Sequence, residues 1–160
     1  MSDTWQLLAN IVTVFGLPLA IFVFFFEQRK ERDNEESEVY QALSDNYQDF
    51  LRTALEHPDL HLFSADLTSD LTPEQREQMF ILLSMLVSLF ERAYLLLYEE
   101  SMTRAQARRW MSWEDYMREW SRRADFVELL PELLRGEDAE FAEYLKRVVH
   151  DEVARPKGNV

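Results

Sequence analysis

Residues 5–26 read WQLLANIVTVFGLPLAIFVFFF, twenty-two successive positions without a charge. A helix of about 20 apolar residues, rising about 1.5 Å per residue, is long enough to cross a hydrocarbon layer about 30 Å thick. The chain that follows is charged and patterned as helices. The expectation is an all-α protein with one N-terminal transmembrane helix, a helical stalk and a small helical bundle. Its parts are an anchor at 1–26, a charged stalk at 27–38, a bundle at 39–153 and a flexible tail at 154–160.

A cleaved secretory signal needs a basic start, a shorter apolar core and a small-residue cleavage site. Asp3 precedes the run, no Lys or Arg does, and LAIFVFFF has no A-x-A pattern, so the run reads as a retained anchor. Arg29, Lys30 and Arg32 follow it directly. The excess of basic residues on the cytoplasmic side of membrane helices then puts the N-terminus outside and the helical domain in the cytoplasm of an inner membrane. Within the span, Gly16 and Pro18 predict a weakened or bent helix. Ala9, Thr13, Gly16 and Ala20 recur at steps of four, three and four. They form a small-residue face suited to close contact with another membrane helix, and Asn10 offers a hydrogen bond there. The expected partners are therefore the bilayer and a second copy or another membrane protein.

The formal net charge is −13. Phosphate neutralisation needs a basic surface, so a general nucleic-acid binder is excluded. There is no cysteine, which removes disulfides, thiolate catalysis and cysteine zinc sites. Only three glycines and five prolines interrupt 160 residues, as in an all-α domain.

Residues 27–38, EQRKERDNEESE, form the stalk, with Arg29–Asp33 and Arg32–Glu36 at the i,i+4 spacing that supports an exposed helix. Tyr40, Leu43, Tyr47, Phe50, Leu51, Ala54 and Leu55 keep helical spacing and predict a core-facing side. Pro58 ends that helix at His57. His57 and His61 flank it, but the proline breaks the geometry a helical metal pair needs, so a surface loop is the expectation. Thr72-Pro73-Glu74-Gln75 predicts a capped helix start. The helix runs to about Glu100 and is apolar nearly all round from Met79 to Phe90, as a buried central helix is. Its uncharged part is too short for a second span.

Residues 101–123 hold six arginines and three acids, whereas residues 27–77 hold fourteen acids and five bases. The two regions can attract each other, or the arginine region, with Arg108 and Arg109 at its centre, can meet an acidic partner or a membrane surface. Trp110, Trp113, Met117 and Trp120 recur at helical spacing and predict one buried stripe. Ser112 and Asp115 suggest a fresh helix start. Pro131 interrupts and Gly136 terminates a short helix. A last amphipathic helix from Glu137 turns Phe141, Tyr144, Leu145 and Val148 inward.

The runs FERAYLLLYEE, WMSWEDYMREW and RRADFVELLPELLRGEDAEFAEYL give a chain that resembles a family of uncharacterised bacterial proteins. Its pattern is an N-terminal span, a helix ending in HPDL and three motif-bearing helices. The resemblance implies a bacterial inner-membrane protein and carries over no activity and no catalytic residue.

No phosphate loop, nucleophile elbow or helical His/Glu metal spacing is legible, so no catalytic residue, cofactor or metal is expected. Glu91 and Arg92 stand out inside an apolar helix. A buried charge must be paired, and an ion pair from Glu91 to Arg108 or Arg109 is the simplest expectation, with a ligand site as the alternative. The function expected is non-catalytic, an interaction or scaffold module at the membrane. The rivals are a small-ligand sensor with a pocket between the central and tryptophan helices, and an enzyme of dispersed carboxylates.

Overall fold

The structure, a computed structural model, describes the backbone of residues 2–155 and the side chains of residues 21–28, 30, 31 and 34–155. Five α-helices and one 3-10 turn account for the secondary structure, with no strand among these residues. They are α1 (Ser2–Leu55), the turn Pro58–Leu60, α2 (Pro73–Leu97), α3 (Arg104–Trp120), α4 (Ala124–Leu133) and α5 (Ala139–Val153). The chain divides into two units, Met1–Val39 and Tyr40–Val160, and α1 contributes to both.

In the first unit, Ile21, Phe22, Val23, Phe24, Phe25 and Phe26 are all exposed, between 44% and 68%. Six successive residues at 3.6 per turn occupy every side of a helix. The side chains of Ala9, Asn10, Thr13, Gly16, Pro18 and Ala20, expected to form a contact face and a bend, lie outside the described residues. So do Arg29, Arg32 and Asp33 of the stalk pairs and residues 156–160 of the tail.

The second unit is a helical bundle built round α2. Thr72 caps α2 through its hydroxyl, which accepts from the Gln75 backbone N–H at 3.2 Å, while the Gln75 side-chain Oε1 accepts from the Thr72 N–H at 2.9 Å. Pro73 stands at the first helical position, where its missing N–H costs nothing. Nine α2 side chains are buried, Leu86, Val87, Phe90 and Ala93 completely, and α2 lies against α3, α4 and α5. By length and composition α2 is also the one helix among the described residues long and apolar enough to cross a membrane. It ends at Leu97, where Tyr98 turns extended.

A second capping box, Thr103 with Gln106, starts α3. The helix then runs unbroken through Ser112, whose hydroxyl donates to the Arg108 carbonyl one turn back. A serine that bonds back into its own helix leaves no cap to start a new one. Trp110, Trp113, Met117 and Trp120 are all buried, as their spacing predicts.

Pro131 lies inside α4 and does not interrupt it. It falls in the last turn, and buried Leu130, Leu133 and Leu134 pin that turn to the core. Gly136 follows at φ +94°, a left-handed turn that glycine adopts without strain. Asp138 caps α5, its carboxylate accepting from the Glu140 and Phe141 N–H groups. Phe141, Tyr144, Leu145 and Val148 are buried as expected. On α1 the inward side is Leu43, Tyr47, Phe50 and Ala54, whereas Leu55 is exposed because the helix stops there.

Trp113 is 1% exposed and meets Tyr47 and Tyr116 edge-on. Trp113→Ala is expected to cost about 3–5 kcal/mol, measured by denaturant unfolding of the full chain in detergent. A loss under 1 kcal/mol, roughly the cost of a surface substitution, would remove Trp113 from the centre of this packing.

Candidate functional site

Two sets of polar groups stand out in the bundle, a linked chain across α3 and α5, in which Arg118 Nη1 and Glu152 Oε2 are buried without a hydrogen-bond partner, and a set open to solvent. The linked chain begins at Trp110, whose indole N–H donates to the Tyr144 hydroxyl at 3.1 Å. Tyr144 donates in turn to Glu114. Glu114 also accepts from Arg118 through Nε at 3.0 Å. Arg118 approaches Glu152 on α5 at 3.8 Å, and Glu152 is met by Arg122 at 2.8 Å and Arg155 at 3.0 Å.

This chain sets the ionisation of its members. Burial pushes the Tyr144 hydroxyl up, and its bond to Glu114 adds to that. Burial alone would raise Glu114, but the bonds from Tyr144 and Arg118 outweigh it and leave the carboxyl below its ordinary value. Arg123 is buried with its guanidinium 4.2 Å from the Trp120 ring centroid and 5.0 Å from that of Phe63. Burial lowers its pKa, and its Nη1 donates to the Glu119 carbonyl at 2.6 Å.

Arg118, Arg122 and Arg123 are therefore engaged by acids of α3 itself and of α5. Arg108 is exposed on α3 and Arg109 is half-buried. The aromatic side chains Tyr94, Tyr98, Trp110, Phe141 and Tyr144 fill the space between α2, α3 and α5, with ring centroids 4.8–5.9 Å apart.

The open set lines a groove of about 620 Å³ between the C-terminal part of α1 and α2. Buried Phe50 and Leu89 and half-buried Phe80 give it an apolar lining. Asn46, Asp49 and Thr53 line it from α1, Ser84, Ser88 and Arg92 from α2, and Glu137 from the α4–α5 turn. Ile81 and Met85 also line it, each 50% exposed. No group of three or more His, Asp or Glu among the described residues is placed to hold a metal ion.

Glu91 and Arg92, adjacent in sequence, part company here. Arg92 is exposed in the groove. Glu91 accepts from the Asp138 N–H and faces the Glu137 carboxyl, rather than an arginine of α3. The reason is the α5 N-terminus, whose free N–H groups and positive dipole end attract a carboxylate. Burial, then the bond to Glu91 and its charge, push Glu137 up to about 7.

Glu137 and Asp49 gave no sequence signal of a shared site, and Ile81 and Met85, four apart on a helix apolar nearly all round, signalled only a common helix face.

Tyr144→Phe is expected to cost about 1–3 kcal/mol, because it strands the Trp110 indole and one Glu114 oxygen. Glu114→Gln is expected to be destabilised most above the ordinary carboxylate range. Its deficit shrinks as pH falls through the depressed Glu114 pKa, since that contribution needs the ionised carboxylate. Unfolding curves across pH check both, and a pH-independent deficit would remove the ionic role.

Compared with protein families, curated proteins and solved structures, the chain finds no match in any of the three.

Proposed function

We propose that this chain is a non-catalytic interaction module anchored in a membrane by residues 5–26, and that it pairs with a second copy through the outer face of α2. Two different observations support the two halves.

For the anchor, the support is the set of exposed side chains at residues 21–26, all six aromatic or branched and placed on every side of the helix. Such a surface is costly in water and favourable in lipid. The uncharged run extends back to Trp5, and Arg29, Lys30 and Arg32 follow it, which favours a cytoplasmic helical unit.

For the pairing, the carrying observation is the self-complementary stripe Glu77, Ile81, Ser84, Met85, Ser88 and Arg92. Its members are three or four apart and share one side of α2. Glu77 and Arg92 are exposed at its two ends, and Ser84 and Ser88 are half-buried between them. Two copies of α2 lying antiparallel about Ser84 and Met85 set Glu77 of one against Arg92 of the other, twice, as a twofold axis requires. The serines allow close approach, and Ile81 and Met85 lose their exposed apolar surface. The sensor reading has less support, since Tyr94, Tyr98 and Trp110 occupy the space between α2 and α3 that its pocket needs.

A photo-reactive residue in place of Met85, in the full chain in native membranes, is expected to yield a cross-linked homodimer. Arg92→Glu and Glu77→Arg are each expected to weaken pairing about tenfold or more, and the double exchange to restore it. Failure of the double exchange to rescue, or capture of monomer alone, rejects this pairing.

A reporter that works only in the cytoplasm is expected to be active when fused at Val160 and one that works only in the periplasm to be silent; activity of the periplasmic reporter reverses the orientation.

A further inference from the structure

We propose that Glu91 and Glu137 form a proton-operated latch, in which one proton held between the two carboxyls fastens the α4–α5 turn to α2 beside the groove. When that proton leaves to solvent, two carboxylates face each other and the turn is released.

The geometry begins with the turn itself. Leu134 ends α4, Gly136 turns left-handed at φ +94°, and Asp138 caps α5. Two attachments tie this turn to α2. The Asp138 N–H donates to Glu91, and the Glu137 carboxyl is hydrogen-bonded to the same side chain. Two carboxyls can bond each other only while one keeps its proton, because an ionised carboxylate is an acceptor alone. Like charges on adjoining carboxyls resist double ionisation.

The surrounding charges do not dissolve the pair. From α2, Arg92 lines the same groove but is exposed; from α1, Asp49 lines it and is engaged by Arg52. From α5, Asp138 directs its carboxylate to its own helix N–H groups. Arg135, earlier in the turn, is exposed. Glu137 is thus raised chiefly by burial and by Glu91, to about 7. A carboxyl raised in the folded state favours that state when protonated. The fastening is therefore complete below the ordinary carboxylate range and is lost as pH rises through about 7.

Release has a consequence for the groove, and this consequence rests on the self-association reading. An ionised Glu137 becomes a second anion within the site that contains Arg92. It competes with Glu77 of the other copy for that guanidinium, so pairing weakens as the latch opens.

Hydrogen exchange of the full chain in detergent, normalised to intrinsic exchange rates, tests the latch. Protection of residues 134–141 is expected to fall about tenfold between about pH 6 and about pH 8. Glu137→Gln, whose amide donates to Glu91 at every pH, is expected to keep that protection throughout. Glu91→Gln, which retains an acceptor for the Asp138 N–H and removes the repulsion, is expected to do the same. Protection that ignores pH in the unsubstituted chain, or falls equally in both variants, overturns the latch. Cross-linking at Met85 at the same two pH values separates the readings. Absence of cross-linking at both rejects self-association while exchange alone judges the latch, and a yield that falls with pH except in Glu137→Gln supports both.

Discussion

The bundle depends on one row of side chains along α3. Trp110, Trp113, Met117 and Trp120 are all buried, and each end of the row gathers a different set of partners. At one end Trp120 meets Phe50 edge-on and donates its indole N–H to the Tyr47 hydroxyl at 3.0 Å. At the other Trp110 sits among Tyr94, Tyr98 and Tyr144. A buried indole brings large apolar area and a single N–H that must be satisfied. In both cases a tyrosine hydroxyl satisfies it, so the apolar packing and the polar accounting are done by the same pairs of rings. That coupling ties the last turns of α1 and the face of α5 to one helix.

The same economy governs charge. Arg118, Arg122 and Arg123 look, as a list, like a basic surface awaiting an acidic partner. In the fold they are drawn to Glu114, Glu119 and Glu152 and to aromatic rings. Glu152 is buried among arginines that neutralise it, the condition under which a buried carboxylate is tolerable. Local attraction within one helix and across to α5 engages these arginines, as expected of screened charges that act over about 10 Å or less. The network closes the C-terminal ends of α3 and α5 together, while the groove beside α2 stays open.

Much of the architecture was legible before any coordinates. Thr72, Pro73 and Gln75 mark a helix start because capping is local chemistry between residues three apart. The inward positions of α3 and α5 follow from spacing alone. The helix start imagined at Ser112 and the break at Pro131 failed for a shared reason. Each is a local signal of modest energy, and the burial of Trp113 on one side or of Leu130, Leu133 and Leu134 on the other overrides it. The cap at Thr103 went unread because Thr-Arg-Ala-Gln precedes a polar turn rather than an apolar run.

What the sequence determined by itself was the class of structure: helices throughout, the inward sides of α3 and α5, and an uncharged run at residues 5–26 that suits a bilayer. Those follow from periodicity and hydrophobicity, which are properties of near neighbours. The partner of Glu91 was decided only in three dimensions. It is separated from Asp138 by 47 positions, and nothing in either segment names the other. The approach of the α5 N-terminus to α2, set by how Phe141 and Tyr144 pack, brings two carboxyls together where an arginine was expected. The groove beside them is tertiary in the same sense, since Phe50 of α1 and Phe80 and Leu89 of α2 line it from distant parts of the sequence.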